Sequence, residues 1–98
     1  MKVYYSEHLK NRINLRDVPY KAPRRIALTS TEHYFDTATS YTIAGGKMNL
    51  DDSPRLAFVA YDIIGQERIK LITVQFITRT EILARVKSKR WIKKEESS

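Results

Sequence analysis

Three side chains near the start of the sequence have types and a spacing suited to contacting phosphate. His8, Arg12 and Arg16 stand four residues apart, so in a helix they form a single row. Two guanidinium groups and an imidazole in such a row can hydrogen-bond the phosphate oxygens of a nucleic acid. The row is equally compatible with the solvated edge of a surface helix, where long side chains lie over the rim of the core. The spacing alone leaves both interpretations open.

A second group of candidates lies in and beside the segment IKLITVQFITRTE, residues 69–81. Metal-free RNA cleavage uses the 2′-hydroxyl of the RNA as nucleophile, so the protein supplies a base, an acid and cations that stabilise the charge on phosphate. The candidate cations are Arg68, Lys70 and Arg79. Lys70 is equally well explained as a lysine at a sheet edge. Arg79 is the strongest single candidate, because a cation is mildly unfavourable at a helix N-terminus.

Proton transfer in such a reaction needs a titratable side chain, and Glu81 and His8 are the candidates. Glu81 also has a structural explanation, since Thr78 and Glu81 match the S/T-x-x-E capping box that begins a helix. Capping accounts for Glu81 with fewer assumptions than catalysis does.

A third group surrounds Trp91, the only tryptophan in the sequence. Arg85, Lys89 and Arg90 precede it, and an aromatic ring beside arginines can stack on unpaired bases. A lone tryptophan at the end of a helix also commonly packs on the core. Tyr41 and Tyr61 are interpreted as residues of the sheet.

The net charge of +7 is concentrated at the two ends of the chain. Residues 1–25 carry seven Lys/Arg against two acids, residues 26–77 carry four against six, and residues 78–98 carry seven against three. If the ends meet in the fold, they form one positive face suited to phosphate. The alternative is a charged surface that keeps a small protein dispersed.

Several other classes of site are not indicated by the sequence. There is no cysteine, and the two histidines lack a zinc pattern such as HExxH. AGGK lacks the GxxxxGK[ST] spacing of a phosphate loop, so Gly45-Gly46 is predicted to form a hairpin turn. Asp51-Asp52 precede a turn sequence. We therefore expect no metal and no cofactor.

Targeting signals are likewise not indicated. No apolar run approaches the roughly 18 residues of a membrane span, and the first residues lack an apolar signal core. We expect a cytoplasmic protein without a membrane partner.

The pattern of apolar residues and breakers predicts one domain over residues 1–94 and a frayed tail over 95–98. Ser6 caps a helix that runs to about Arg16, with Leu9 and Ile13 facing the core. A second helix spans about residues 22–30. Strands follow in EHYFDTA, SYTIAGGKMNL, RLAFVAYDIIG and ERIKLITVQFI, with Gly65-Gln66 as a two-residue turn.

The strand at 69–77 is apolar on both sides and is predicted to lie inside the sheet. Alternation places Val74 on one face of the sheet and Ile69 and Leu71 on the other. A terminal helix begins at Thr78, with Ile82, Leu83 and Val86 on its core side. The predicted fold is α+β: N-terminal helices, an antiparallel meander of three to four strands, and a C-terminal helix.

Two segments resemble the BrnT-type toxins of the wider RelE/ParE-like ribonuclease group. That family shows a first helix of the type K-x-x-x-N-L-[KR], matched by Lys10, Asn14, Leu15 and Arg16. Its late strand, I-R-I-I-S-A-R leading into A-T-x-x-E, is similar to residues 69–73 and to Thr78, Arg79 and Glu81. The matched segments cover about a fifth of the chain.

The resemblance implies a metal-independent ribonuclease toxin that binds RNA and is masked by a small antitoxin protein. The sequence departs from the family at Asp17-Val18, where the family has His-Gly, and at Gln75 and Phe76, where it has basic residues. Two alternatives therefore remain: a non-catalytic nucleic-acid-binding protein on the same fold, and an interaction module whose basic face meets an acidic protein. The oligomeric state is left open.

Overall fold

The structure, a computed structural model, describes residues 1–94, which form six strands and three helices. The strands are β1 (Lys2–Tyr5), β2 (Glu32–Asp36), β3 (Thr42–Leu50), β4 (Ser53–Gly65), β5 (Arg68–Gln75) and β6 (Trp91–Lys94). The helices are α1 (Glu7–Arg16), α2 (Ala22–Thr29) and α3 (Arg79–Lys87). The predicted frayed tail, residues 95–98, lies outside the described residues.

The predicted α+β class is confirmed, but the sheet is larger than predicted and of a different kind. Its strands lie in the order β1-β5-β4-β3-β2-β6. β1 is parallel to β5 and all other neighbours are antiparallel, so the sheet is mixed rather than antiparallel. The sequence places Trp91 at the end of the terminal helix and predicts no strand after it, whereas Trp91–Lys94 forms β6 beside β2. A strand at each end of the chain therefore extends the predicted arrangement of helices and meander.

Each face of the sheet carries its own core. We call the face on which α1 and α2 pack the two-helix face, and the opposite one, partly covered by α3, the α3 face. The two-helix face is filled by aliphatic residues, which include Leu9, Ile13, Ile26, Val59, Leu71 and Val74. The α3 face is filled mainly by aromatic and β-branched residues, which include Tyr34, Ile43, Phe58, Ile82 and Trp91.

Local sequence determines where α1 begins and ends. The Ser6 hydroxyl accepts a hydrogen bond from the Leu9 backbone N–H, as predicted for an N-cap. Leu9 and Ile13 are buried, also as predicted. Asp17 ends the helix in the left-handed conformation, with φ of 51°, a geometry that short polar side chains tolerate better than most residues do. The chain then turns so that Val18 is buried against the same core.

Two predicted hairpin turns are wrong. Gly45 and Gly46 lie inside β3, where Gly45 faces Phe58 and Gly46 faces Ile26. Phe58 approaches too closely for a side chain at position 45, and Ile26 leaves little room for one at position 46, so the glycines serve packing rather than turning. The β3–β4 turn is formed by Asp51 and Asp52, both with positive φ.

The other correction concerns the turn before β5. Gly65 pairs with Arg68, so the two-residue loop is Gln66-Glu67 rather than Gly65-Gln66. Glu67 adopts the positive φ that this loop requires.

An irregularity in β5 changes which of its side chains share a face. Opposite β4, Tyr61 pairs with Leu71 but Ala60 pairs with Thr73, so Ile72 is an extra residue in the ladder. The bulge brings Val74 onto the two-helix face with Leu71, whereas strict alternation predicted opposite faces. The prediction that this strand lies inside the sheet is confirmed.

Helix α3 begins with the predicted capping box between Thr78 and Glu81. Ile82 is buried and Val86 is partly buried against the α3-face core. Leu83, predicted on the core side, is 68% exposed. The apolar stripe of α3 that packs on the sheet is narrow: it consists of Ile82 and Val86, and Leu83 lies beside it.

The two basic ends of the chain do not meet in one surface. β1 and β6 lie at opposite edges of the sheet, with four strands between them. Because neighbouring strands are about 4.8 Å apart, the two edges are well separated. The N-terminal basic segment continues into α1 and α2 on the two-helix face, whereas the C-terminal one begins with α3 on the other. The fold therefore has two separate basic regions.

Candidate nucleic-acid interface

The C-terminal basic region surrounds a small cavity on the α3 face. The cavity has a volume of about 110 Å³, room for three or four groups of water size at about 30 Å³ each. That is the scale of one phosphate group rather than of a nucleotide. The end of β2, the strands β3 to β5, and α3 with its following turn all contribute to its wall. The polar lining residues are Asp36, Thr39, Tyr41, Thr73, Gln75, Arg85 and Arg90, and the aromatic ones are Phe58 and Trp91.

Arg85 is brought to this cavity by α3. Its Nη1 donates a hydrogen bond to Gln75 Oε1 over 3.2 Å, and its guanidinium lies 4.9 Å from the centroid of the Trp91 ring. The ring face attracts the cation, and the amide holds one edge of the guanidinium. Because arginine has five N–H donors, the bond to Gln75 leaves most of them for an incoming anion.

Arg90 enters from the turn after α3. Lys89 adopts φ of 64°, which redirects the chain from α3 into β6. The Arg90 Nε lies 3.5 Å from Asp36 Oδ1, and Asp36 is only 4% exposed. Burial disfavours the Asp36 carboxylate, but the Ala38 backbone N–H and the Arg90 guanidinium outweigh it and lower the pKa of Asp36. Asp36 is therefore charged at neutral pH and holds Arg90 at the cavity.

Trp91 directly follows Arg90 in the sequence and forms part of the cavity wall. It is 2% exposed and packs on Tyr34 and Phe58, at ring-centroid distances of 5.3 and 5.6 Å. Its indole N–H is buried and makes no hydrogen bond within residues 1–94, although it lies near enough to Asp36 to help lower that pKa. Buried donors are normally satisfied, and the Asp36 carboxylate is an acceptor within reach of this one.

Arg79, the strongest candidate from sequence, is outside this cavity and already paired. Its Nη1 lies 2.6 Å from Glu32 Oε2, and this hydrogen bond raises the pKa of Arg79. The Tyr34 hydroxyl donates to the same carboxylate oxygen. Burial opposes the charged form of Glu32, but these two hydrogen bonds lower its pKa overall. Burial and Glu32 together raise the pKa of Tyr34 to about 12.

The other predicted catalytic residues do not meet at one site. Glu81 accepts the hydrogen bonds of the capping box. Lys70 is exposed on β5, in register with Asp62 of β4 and Tyr4 of β1. Arg68 is exposed at the start of β5, beside Gly65. His8 is exposed on α1, across the sheet from Glu81.

The predicted row on α1 is used within the protein. Arg12 Nε donates to the Val74 carbonyl over 2.8 Å, and the Arg16 guanidinium lies 5.4 Å from the centre of the Phe76 ring. Both contacts fix α1 to the end of β5. Of the row, His8 points to solvent without a structural contact of this kind.

Of the predicted nucleic-acid-binding residues, Arg85, Arg90 and Trp91 meet at the cavity, and exposed Lys89 lies beside them. Arg12, Arg16 and Arg68 lie elsewhere. Sequence reasoning missed Asp36, and it assigned Tyr41 only to the sheet. Neither has a local signal, since both reach the cavity through the pairing of β2 with β3 and β6.

Comparison with family models, with curated proteins and with solved structures gives no match. The site is therefore interpreted from the chain's own residues. Within residues 1–94 no group of three histidine or carboxylate side chains is placed to hold a metal ion. Over the same range, no helix is long and apolar enough to cross a membrane.

Proposed function

We propose that this protein binds RNA, with one backbone phosphate held in the cavity on the α3 face. The observation that carries the proposal is the convergence of Arg85 and Arg90 on a phosphate-sized cavity that Trp91 also lines. Charge-assisted hydrogen bonds from arginine are among the strongest that a phosphate accepts. Asp36, the one acid that residues 1–94 contribute to the wall, is already bonded to Arg90.

The surroundings favour a long anionic chain over an isolated anion. Lys87 at the end of α3, Lys89 in the following turn and Lys93 on β6 are all exposed in the segments that carry Arg85, Arg90 and Trp91. Cations close in sequence to a phosphate site can contact further phosphates of a nucleic-acid backbone. The resemblance of residues 69–81 to ribonuclease toxins supports RNA as the polymer.

Metal-independent cleavage of RNA is a second candidate function. In the resembled family the position of Gln75 carries arginine, and here Gln75 holds the guanidinium of Arg85. The guanidinium of Arg85 on α3 therefore lies beside position 75 and supplies the positive charge that Gln75 lacks. Arg85 and Arg90 would stabilise the charge on phosphate during attack by the 2′-hydroxyl, and the Tyr41 hydroxyl in the same wall is a candidate proton donor. An antitoxin partner follows from this second candidate only.

The experiment compares two arginines of the same helix. Purified wild type, Arg85→Gln and Arg79→Gln are incubated with a long single-stranded RNA in EDTA, and both binding and cleavage are measured over a range of salt concentrations. Arg85→Gln should weaken RNA binding by about tenfold, because one charge-assisted contact is lost. The slope of log affinity against log salt concentration should also fall by an amount that corresponds to about one phosphate contact. Arg79→Gln removes the same charge but should change binding by less than about threefold.

Equal losses in the two variants would mean that net charge, not the cavity, governs binding, and would contradict the proposal. Cleavage by the wild type that Arg85→Gln abolishes and Arg79→Gln retains would establish the ribonuclease. Binding without cleavage would leave RNA binding alone. If neither is observed, the protein does not act on RNA.

A further inference from the structure

A larger groove lies at the other edge of the molecule, between β1 and α2. Its volume is about 1220 Å³, roughly ten times that of the cavity on the α3 face. Exposed apolar side chains line it, among them Tyr4, Tyr20 and Leu28, and Met48 lies at its base. Single exposed apolar residues are ordinary, but several in one concave surface are typical of a binding site.

The groove includes the free edge of the sheet. β1 is the terminal strand in the sheet order. The Lys2 and Ser6 backbone N–H groups donate to Glu67 and Leu71 of the β5 side, so the peptide groups of Val3 and Tyr5 point the opposite way. Tyr4 faces one side of the sheet and Val3 and Tyr5 the other, yet all three line the groove. The groove therefore follows the strand edge itself.

The charged side chains of residues 1–94 that line the groove are all positive. They are Lys2, Lys21, Arg24 and Arg25. Helix α2 begins here with no acidic residue in its first turn, and the Tyr5 hydroxyl accepts a hydrogen bond from the Arg24 backbone N–H. Cations at a helix N-terminus are unfavourable, and carboxylates near it are stabilising. An acidic ligand would compensate the cations.

We propose that this groove binds an acidic, amphipathic segment of a partner protein, which adds as a seventh strand beside β1. Strand addition uses backbone groups at a sheet edge for affinity and side-chain pockets for specificity. The alternating side chains of such a segment would place apolar groups in the groove and carboxylates near Lys21 and Arg24. RNA fits this surface less well, because it has no backbone complementary to a strand edge and the lining is largely apolar. The proposal is independent of the RNA-binding site on the α3 face.

The probe is a labelled 12-residue peptide in which Glu alternates with Val and Leu, with blocked ends. A second peptide carries Lys in place of every Glu, and a 12-nucleotide single-stranded RNA serves as the competing ligand. Binding is measured by fluorescence anisotropy for the wild type and for the double variant Lys21→Glu/Arg24→Glu. The matched control is Lys87→Glu/Lys89→Glu, which makes the same charge change on exposed residues of the other basic region.

The acidic peptide should bind the wild type and the control with similar affinity, and the Lys21→Glu/Arg24→Glu variant at least about tenfold more weakly. The lysine peptide should not bind. Amide hydrogen exchange at Val3 and Tyr5 should slow when the acidic peptide is bound, while exchange along β6, the other edge, stays unchanged.

Four outcomes would overturn the proposal: no binding of the acidic peptide, equal binding of the lysine peptide, equal loss in both variants, or binding without protection of Val3 and Tyr5. If the RNA displaces the peptide and the Lys21→Glu/Arg24→Glu variant also loses RNA, the groove is a nucleic-acid surface instead.

Discussion

On the two-helix face, Arg12, Arg16 and Arg25 lie against the protein itself, whereas on the α3 face Arg85 and Arg90 border a cavity. Arg12 and Arg25 donate to the backbone carbonyls of Val74 and Lys47, and Arg16 covers the ring of Phe76. Arg85 and Arg90 instead converge on the space beside Trp91. These five arginines therefore differ in role: the first three hold the structure together, and the last two are available to a ligand.

The packing beneath the arginines explains this difference. Aliphatic side chains of α1, α2 and the sheet close the two-helix core, and Arg12, Arg16 and Arg25 contact carbonyls and a ring face at its rim. On the α3 face a single helix covers the sheet with one fully buried residue, Ile82. Large rings fill the remaining space incompletely, and a polar cavity remains. Arg85 and Arg90 form a candidate binding site because the core beneath them contains a cavity.

The largest expected effect tests the closed core of the two-helix face. Leu9→Ala should lower the free energy of unfolding by about 2–5 kcal/mol, because Leu9 is fully buried and its truncation leaves a void. Leu15→Ala in the same helix should change it by less than about 0.5 kcal/mol, since Leu15 is 85% exposed. Urea denaturation measures both. Equal effects would mean that α1 does not pack as described.

A pair of adjacent glycines compares the two faces directly. A Cβ at Gly45 would lie 2.5 Å from Phe58 Cε1 on the α3 face, and one at Gly46 would lie 3.1 Å from Ile26 Cγ1 on the other. Gly45→Ala should therefore lower the free energy of unfolding by about 1–3 kcal/mol, and Gly46→Ala by less. Gly45→Ala should also weaken RNA binding, because Phe58 lines the cavity. A larger loss in Gly46→Ala, measured by thermal unfolding, would contradict this order.

The smallest expected effect concerns Asp36 and depends on pH. Asp36→Asn should lower the free energy of unfolding by about 1 kcal/mol at pH 7, because it weakens the charge-assisted bonds to Arg90 and Ala38. The folded-state pKa lies below the ordinary 3.8, so the carboxylate stabilises the fold above about that pH. This contribution disappears as the pH falls through the lowered value.

Urea denaturation at pH 7 and near pH 2 measures the effect of Asp36→Asn. The difference between wild type and variant should shrink on acidification. Asp52→Asn, the same change in an exposed turn, should differ from wild type by less than about 0.5 kcal/mol at pH 7. A difference for Asp36→Asn that persists at low pH would show that the charge of Asp36 is not what stabilises the fold.

Elements determined by neighbouring residues could be predicted from the sequence. The Ser6 cap and the Leu9–Ile13 spacing define α1, and the Thr78–Glu81 capping box begins α3. The class of fold and the four central strands follow from the same kind of local pattern. Capping also accounts for Glu81, as the simpler interpretation predicted.

Features that depend on distant pairing could not be predicted. WIKK is short and follows a basic helix, and it becomes a strand only because β2 offers it an edge. The glycines of β3 look like a turn until Phe58 and Ile26 are placed against them. The candidate site has the same origin: Asp36 and Arg90 are 54 residues apart. Arg79 was a reasonable candidate from its position, but Glu32, which pairs with it, could not be identified in advance.

The parallel pairing of β1 with β5 sets an order on folding. β1 joins residues 66 positions further along the chain, and the Ser6 hydroxyl bonds the Ile72 carbonyl over the same separation. The strands β2 to β5 are joined by short connections and can pair with little loss of chain entropy, whereas closing the long loop back to β1 is slow. During synthesis, β1 and α1 must therefore wait until β5 has emerged, and until then the edge of β5 is open to other chains.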